Sequence, residues 1–195
     1  MKLKIFKEKY SKKVNKKPVK NRKLVDYKWI ITVTLLAFFI SLIFSLFSEG
    51  VIPNANSVVA ITIILLFIGI GIVFDMVGIA ITVADIKTFN SMASKQVKGA
   101  KLAIKLIKNS EKASSFCNDV IGDICGIISG SAGVALANII ATNFNFNLLI
   151  VSLLITAIIA ALTIGGKAMG KATAINKSTL ILFRFSQVIA NFYRK

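Results

Sequence analysis

Residues 57–86 read SVVAITIILLFIGIGIVFDMVGIAITVADI, and Asp75 and Asp85 are the only charges in the stretch. About 20 consecutive apolar residues cross the hydrocarbon core of a bilayer, so this segment predicts a transmembrane helix with length to spare for tilt or projection. Three further apolar blocks stand around it. Residues 29–47 (WIITVTLLAFFISLIFSLF) carry no charge and open on Trp29, an interfacial anchor. Residues 114–142 and 148–165 are the other two, separated by the short loop NFNFN at 143–147. The predicted fold class is an all-α integral membrane protein with four transmembrane helices.

Composition agrees. The 195 residues are 55% hydrophobic and 17% charged, with a net charge of +17, and the mean hydropathy is +0.75. Soluble domains run roughly 45–50% apolar and about 25% charged. A soluble basic domain would also scatter its lysines over every surface element, whereas here they are pushed between the apolar blocks. For residues 29–47 a signal peptide is the competing reading; the long basic lead-in and the length of the apolar run favour a retained anchor.

The charges orient the spans. Lysine and arginine fall almost wholly in the arm 1–28, the connection 87–113 and the tail 166–195, while the loops 48–56 and 143–147 hold none. Four spans put the three basic segments on one side. The positive-inside rule makes that side the cytoplasm, with both termini there, in a cell (plasma) membrane. The Lys-, Ile- and Asn-rich usage points to an AT-rich bacterial genome.

Within the connection, an amphipathic helix is predicted over 91–112. Lys95, Lys98, Lys101, Lys105, Lys108 and Lys112 recur at three- and four-residue steps on one face, with Val97, Ala100, Ile104 and Ile107 on another. The lysines would face anionic lipid headgroups on the cytoplasmic leaflet. A packed juxtamembrane helix without lipid specificity is an equal alternative. The tail predicts a second such helix, with Ile181, Phe185, Val188 and Phe192 as its stripe. The arm 1–28 has the charge for nonspecific phosphate contacts, but it has few aromatics and no nucleic-acid motif, so nucleic acid is not an expected partner.

Histidine is absent. That removes His-ligated zinc, Ser-His and Cys-His nucleophile pairs and a histidine proton relay. No catalytic constellation can be assembled, and the chain is not expected to be an enzyme. Cys117 and Cys125 lie about two helical turns apart, too far to bridge, and read as apolar packing.

The chemistry rests on acidic residues inside the spans. Asp75, Asp119 and Asp123 fall within them and Asp85 lies near the end of the second. A charge at the centre of a membrane helix costs about 2.5–3.5 kcal/mol, so such residues tend to be functional. Asp75, Gly78, Thr82 and Asp85 share one face. Asp119 and Asp123 are one turn apart with Asn118 beside them. Ser152, Thr156 and Thr163 add hydroxyls on the fourth span. Carboxylates, hydroxyls and amides are hard oxygen ligands, which suit Mg²⁺ or Ca²⁺. The alternative is that Asp119 and Asp123 sit at the interface, capping a helix or pairing with Lys112. Gly122, Gly126 and Gly130 repeat every fourth residue, a pattern that lets another helix approach closely.

From these features the chain resembles the transmembrane domain of the cyclin-M / CorB–CorC family of magnesium and cobalt transport proteins. The likeness covers residues 57–195. AITVAD (Ala80–Asp85) sits where the family's first span leaves the membrane in an Ala-rich stretch. KGAKLAIKLIKN (Lys98–Asn109) resembles the family's G-A-x-x-A-x-x-L connector, and Ser115 with NDVIGDICGIISGSAG (Asn118–Gly133) its Gly-rich polar second span. GKAMGKATA (Gly166–Ala174) resembles G-E-x-x-P-K-x-x-A, with Gly166 and Lys171 matching. Lys167 and Gly170 stand where the family has Glu and Pro, the family's Ser-x-Glu pattern is missing around Asp75–Gly78, and its paired CBS domains do not occur before Lys195. The span at 29–47 is an addition to the family's three.

What the resemblance implies is a homodimer that transports Mg²⁺, with Co²⁺ as the second cation, by alternating exposure of a site between spans. Asp119 and Asp123 would supply charge, Asp75 a facing carboxylate, and Asn118 and Ser115 neutral oxygens. Mg²⁺ would be the bound or transported ion, with no organic cofactor. The other reading is a non-transporting membrane scaffold or regulator of the same fold, which dimerises through the glycine face.

Overall fold

The computed structural model describes residues 27–51 and 56–192. The predicted arm at 1–28, apart from Tyr27 and Lys28, lies outside the described residues. So do positions 52–55 of the first loop and 193–195 of the tail. Val33–Lys195 forms one compact unit; of the other, Met1–Thr32, only the first turns of a helix are described.

The described chain is helical with no strand among those residues. Its elements are α1 (Tyr27–Val51), α2 (Ser57–Val83), α3 (Ile86–Ser94), α4 (Ala100–Lys108) and α5 (Ser110–Ser115). A π-helical segment (Phe116–Ile121) leads into α6 (Gly122–Phe144), and α7 (Leu148–Asn176) and α8 (Ser178–Phe192) follow. Three stretches are long and apolar enough to cross a membrane: Ser57–Val83, Ser110–Phe144 and Leu148–Asn176. A shorter apolar stretch, Tyr27–Ile43, belongs to α1.

Outward-facing side chains on these helices are apolar. Leu65, Leu66 and Val73 on α2, and Leu153, Leu154 and Ile158 on α7, are all more than half exposed. A water-soluble protein rarely shows so large an apolar surface, and lipid is the solvent that tolerates it. Inward, α2, α6 and α7 pack on one another. Ala60, Ile64 and Ile68 meet Ala132, Leu136 and Ile159 in the middle of the bundle. The α1 residues Val33, Ala37 and Ile40 pack against Val120, Ile124 and Ile128 on the far side of α6.

The end of α2 has its own core. Val77, Ala80, Ile81 and Ala84 are buried with Phe89 of α3, Ala103 of α4, Cys117 and Leu182 of α8. Fully burying a side chain such as Phe89 contributes about 1.5–3 kcal/mol. Ile181 and Phe185 of the predicted tail stripe join this core, and Phe185 meets Phe74 edge to face at 6.1 Å. Val188 stays more than half exposed. Two helices start on side-chain caps: Asp85 accepts from the Lys87 amide at the head of α3, and Asn147 from the Leu149 amide at the head of α7.

Three boundaries differ from the sequence expectation. The amphipathic helix expected over 91–112 is divided: α3 ends at Ser94, and Gln96 (φ 55°) and Gly99 (φ 88°) turn the chain before α4 begins. A Cβ on Gly99 would stand 3.0 Å from the Gln187 amide nitrogen and the Ser186 carbonyl carbon, so α8's backbone closes on this turn where only glycine fits. The segment expected from Ser114 is helical from Ser110. The span expected to end at Gly165 runs on as α7 to Asn176, because Gly165 and Gly166 continue the helix rather than end it.

Candidate functional site: a polar junction of three helices

The π-helical segment carries the sequence FCNDVI, residues 116–121. Such segments widen the helix by one residue and occur often at functional sites. Here Asn118 is directed at α2, where Gly78 offers no side chain: a Cβ on Gly78 would overlap the Asn118 amide. The Asn118 Oδ1 atom is buried there and has no hydrogen-bond partner. Leaving such an acceptor unsatisfied costs about 1–3 kcal/mol.

Asp75 lies on α2 one turn before Gly78. Gly71 and Gly78 contact the α6 side, through Cys125 and Asn118, while Ile72 and Met76 contact Gly166 and Gly170 of α7. At about 100° per residue, Asp75 falls in the sector of α2 between those two faces. It is half-buried.

The third member comes from α7. Lys167 is half-buried, and its Nζ lies 3.6 Å from the position a Cβ on Gly122 would take, with the Cys117 carbonyl oxygen 3.8 Å from that point. Gly122 is one turn along the same helix from Asn118. No hydrogen bond or ion pair joins Asp75 to Lys167 among the described residues. Counting about 20 residues from Ser57, from Leu148 and back from Phe144 reaches Asp75, Lys167 and the start of α6. By this count the polar residues of the three candidate spans lie at the same end of their apolar stretches.

The other candidates lie elsewhere. Asp119 and Asp123 are exposed on the outer side of the helix, and the Ser115 hydroxyl donates to Asp119 Oδ2. Among the described residues, no three His, Cys, Asp or Glu side chains gather closely enough to hold a metal ion. The hydroxyls of Thr156 and Thr163 donate to the Ser152 and Ile159 carbonyls of their own helix. Gly122 lies inside the junction, whereas nothing lies within 4 Å of a Cβ at Gly126 or Gly130. Within this chain the close approaches fall instead at Gly71, Gly78, Gly133, Gly166 and Gly170. Lys95, Lys98, Lys101, Lys105 and Lys108 are exposed, while Ala103, Ile104 and Ile107 on another face of α4 pack on the end of α2.

Lys167 was legible only as a departure from a family motif, and Gly78 only as a neighbour of Asp75 on a helical face. Nothing in FCNDVI announces a π turn.

These features define the class: a membrane protein, helical throughout its described secondary structure, with polar residues at one end of three candidate spans. Compared with models of known protein families, with curated proteins and with solved structures, the chain shows no match.

Proposed function

We propose that the chain transports a divalent cation, Mg²⁺ first and Co²⁺ second, through the junction of α2, α6 and α7, as a minimal protein of the cyclin-M / CorB–CorC kind. The observation that carries this reading is the buried, unpartnered Oδ1 of Asn118, held against Gly78 at the depth of Asp75. An amide oxygen and a carboxylate are hard donors, and Mg²⁺ takes few protein ligands while keeping several waters. An unsatisfied acceptor in a folded protein calls for an explanation, and a hydrated cation that visits the site supplies one. In this account α1 is a fourth span, both termini are cytoplasmic, and the exposed lysines of α4 face anionic headgroups. The outward Gly126 and Gly130 receive a second copy of the chain, and the exposed Asp119 and Asp123 gather cations at the mouth.

A second reading, a non-transporting scaffold, is favoured by one observation: the Lys167 ammonium beside Gly122 opposes a cation at that depth. Mg²⁺ flux into liposomes carrying the purified protein separates the two. A transporter gives flux above empty liposomes, and the Asp119→Asn, Asp123→Asn pair slows it. A scaffold gives none.

A further inference from the structure

We propose that the cavity at the turn between α3 and α4 binds a phosphate group, carried on the headgroup of an anionic phospholipid or free in solution. The inference rests on the reading above only where that reading sets the α4 lysines at headgroup level, and it is independent of cation transport. The cavity has a volume of about 370 Å³ and is lined by Ala93, Gln96, Val97, Lys98, Gly99 and Lys101. Volumes of that order hold small ligands. It forms where the chain reverses through two left-handed residues, Gln96 (φ 55°) and Gly99 (φ 88°). The α8 backbone at Ser186 and Gln187 closes on Gly99, so tertiary packing holds the turn in place. Lys98 and Lys101 are exposed, and the flexible stem of a lysine lets its ammonium reach a bound anion.

The surroundings are positive. Residues 86–110 hold six lysines and no Asp or Glu, and α8 adds Arg184 and no acid. The flanking acids are Asp85, at the far end of α3 where it accepts from the Lys87 amide, and Glu111 in α5. The helix α4 begins on Gly99 with no side-chain cap, so its first-turn amides and positive end favour an anion at the same turn. Position agrees as well. The turn lies past Val83, where the candidate span ends, and Ala103 of α4 packs on that end. A phosphate brings oxygen acceptors to ammonium and amide donors, and such charge-assisted bonds are the strong ones.

The test is thermal unfolding of the full chain in a neutral detergent, with phosphatidylglycerol, inorganic phosphate or phosphatidylcholine added in turn. A ligand that binds the folded state raises the unfolding temperature, and the concentration dependence of that rise gives its affinity. Two double variants make the same charge change at exposed residues: Lys98→Gln with Lys101→Gln at the cavity, and Lys105→Gln with Lys108→Gln farther along α4. Circular dichroism checks that both keep their helices. Phosphatidylglycerol is expected to stabilise the parent more than phosphatidylcholine does. The cavity pair should weaken that binding roughly tenfold or more, with the second pair close to the parent. Inorganic phosphate that reproduces the cavity-dependent shift assigns the site to free phosphate; a shift with the lipid alone assigns it to a headgroup. Equal losses in the two pairs, which diffuse attraction to a basic surface would give, or no shift with either phosphate source, overturns the inference. The two proposals fail separately. Parent flux without a cavity-specific loss of binding sinks this one alone, whereas cavity-specific binding without parent flux sinks transport alone.

Discussion

The amide of Asn118 fills the space that a side chain on Gly78 would occupy. A π-helical turn on one element and a missing Cβ on another are thereby matched, and a polar oxygen is buried at their contact without a partner. Alanine at position 78 removes that fit. Gly78→Ala is expected to lower stability by about 1–3 kcal/mol, the range for overpacking a tight contact. Gly69→Ala is the control, since nothing lies within 4 Å of its Cβ. Thermal unfolding in detergent should show a clear drop for the first and little change for the second.

Asn118 itself separates stability from function. Asn118→Leu keeps much of the shape and removes an unsatisfied acceptor, so the variant is expected to unfold at the parent temperature or above. If the acceptor serves a cation, the same variant loses Mg²⁺ flux. Unfolding curves and flux assays on one preparation read both.

The turn at Gly99 ties the connector to α8. Alanine there adopts φ 88° only with left-handed strain and meets the Ser186–Gln187 backbone. Gly99→Ala is expected to cost about 1–2 kcal/mol from backbone strain alone, and more from the contact. Limited proteolysis should then cut between α3 and α4 faster than in the parent, because α8 no longer closes on the turn.

Cys117 and Cys125 are free and each 5% exposed. A membrane-permeant maleimide is therefore expected to label neither thiol at an appreciable rate in the folded protein and both after denaturation in SDS. Fast labelling of Cys117 in native protein would mean that the Val77–Cys117 core opens readily, and fast labelling of Cys125 that the α2–α6 contact at Gly71 does.

The long apolar runs made the helices legible, since lengths above about 20 residues leave few alternatives. Asp85 and Asn147 were in place to start α3 and α7, as capping chemistry allows. The breaks were harder to see. Gln96 is no breaker by type, so the even spacing from Lys95 to Lys112 looked like one helix, and tertiary closure by α8 decides otherwise. Gly165 and Gly166 looked like an ending, yet glycine is tolerated inside membrane helices, and Gly166 is where Ile72 enters. Placing the span's end there put Lys167 in the tail and hid it from the site. Carboxylate spacing drew attention to Asp119 and Asp123, but spacing alone does not say which side of a helix a neighbour covers.

The measurement that bears most directly on the central claim is Mg²⁺ entry into sealed liposomes, followed with a trapped fluorescent indicator, for the parent and for Asn118→Leu. The account predicts flux above empty liposomes in the parent and its loss in a variant that is folded and inserted. No flux from folded, inserted parent protein, or equal flux from both, would contradict it.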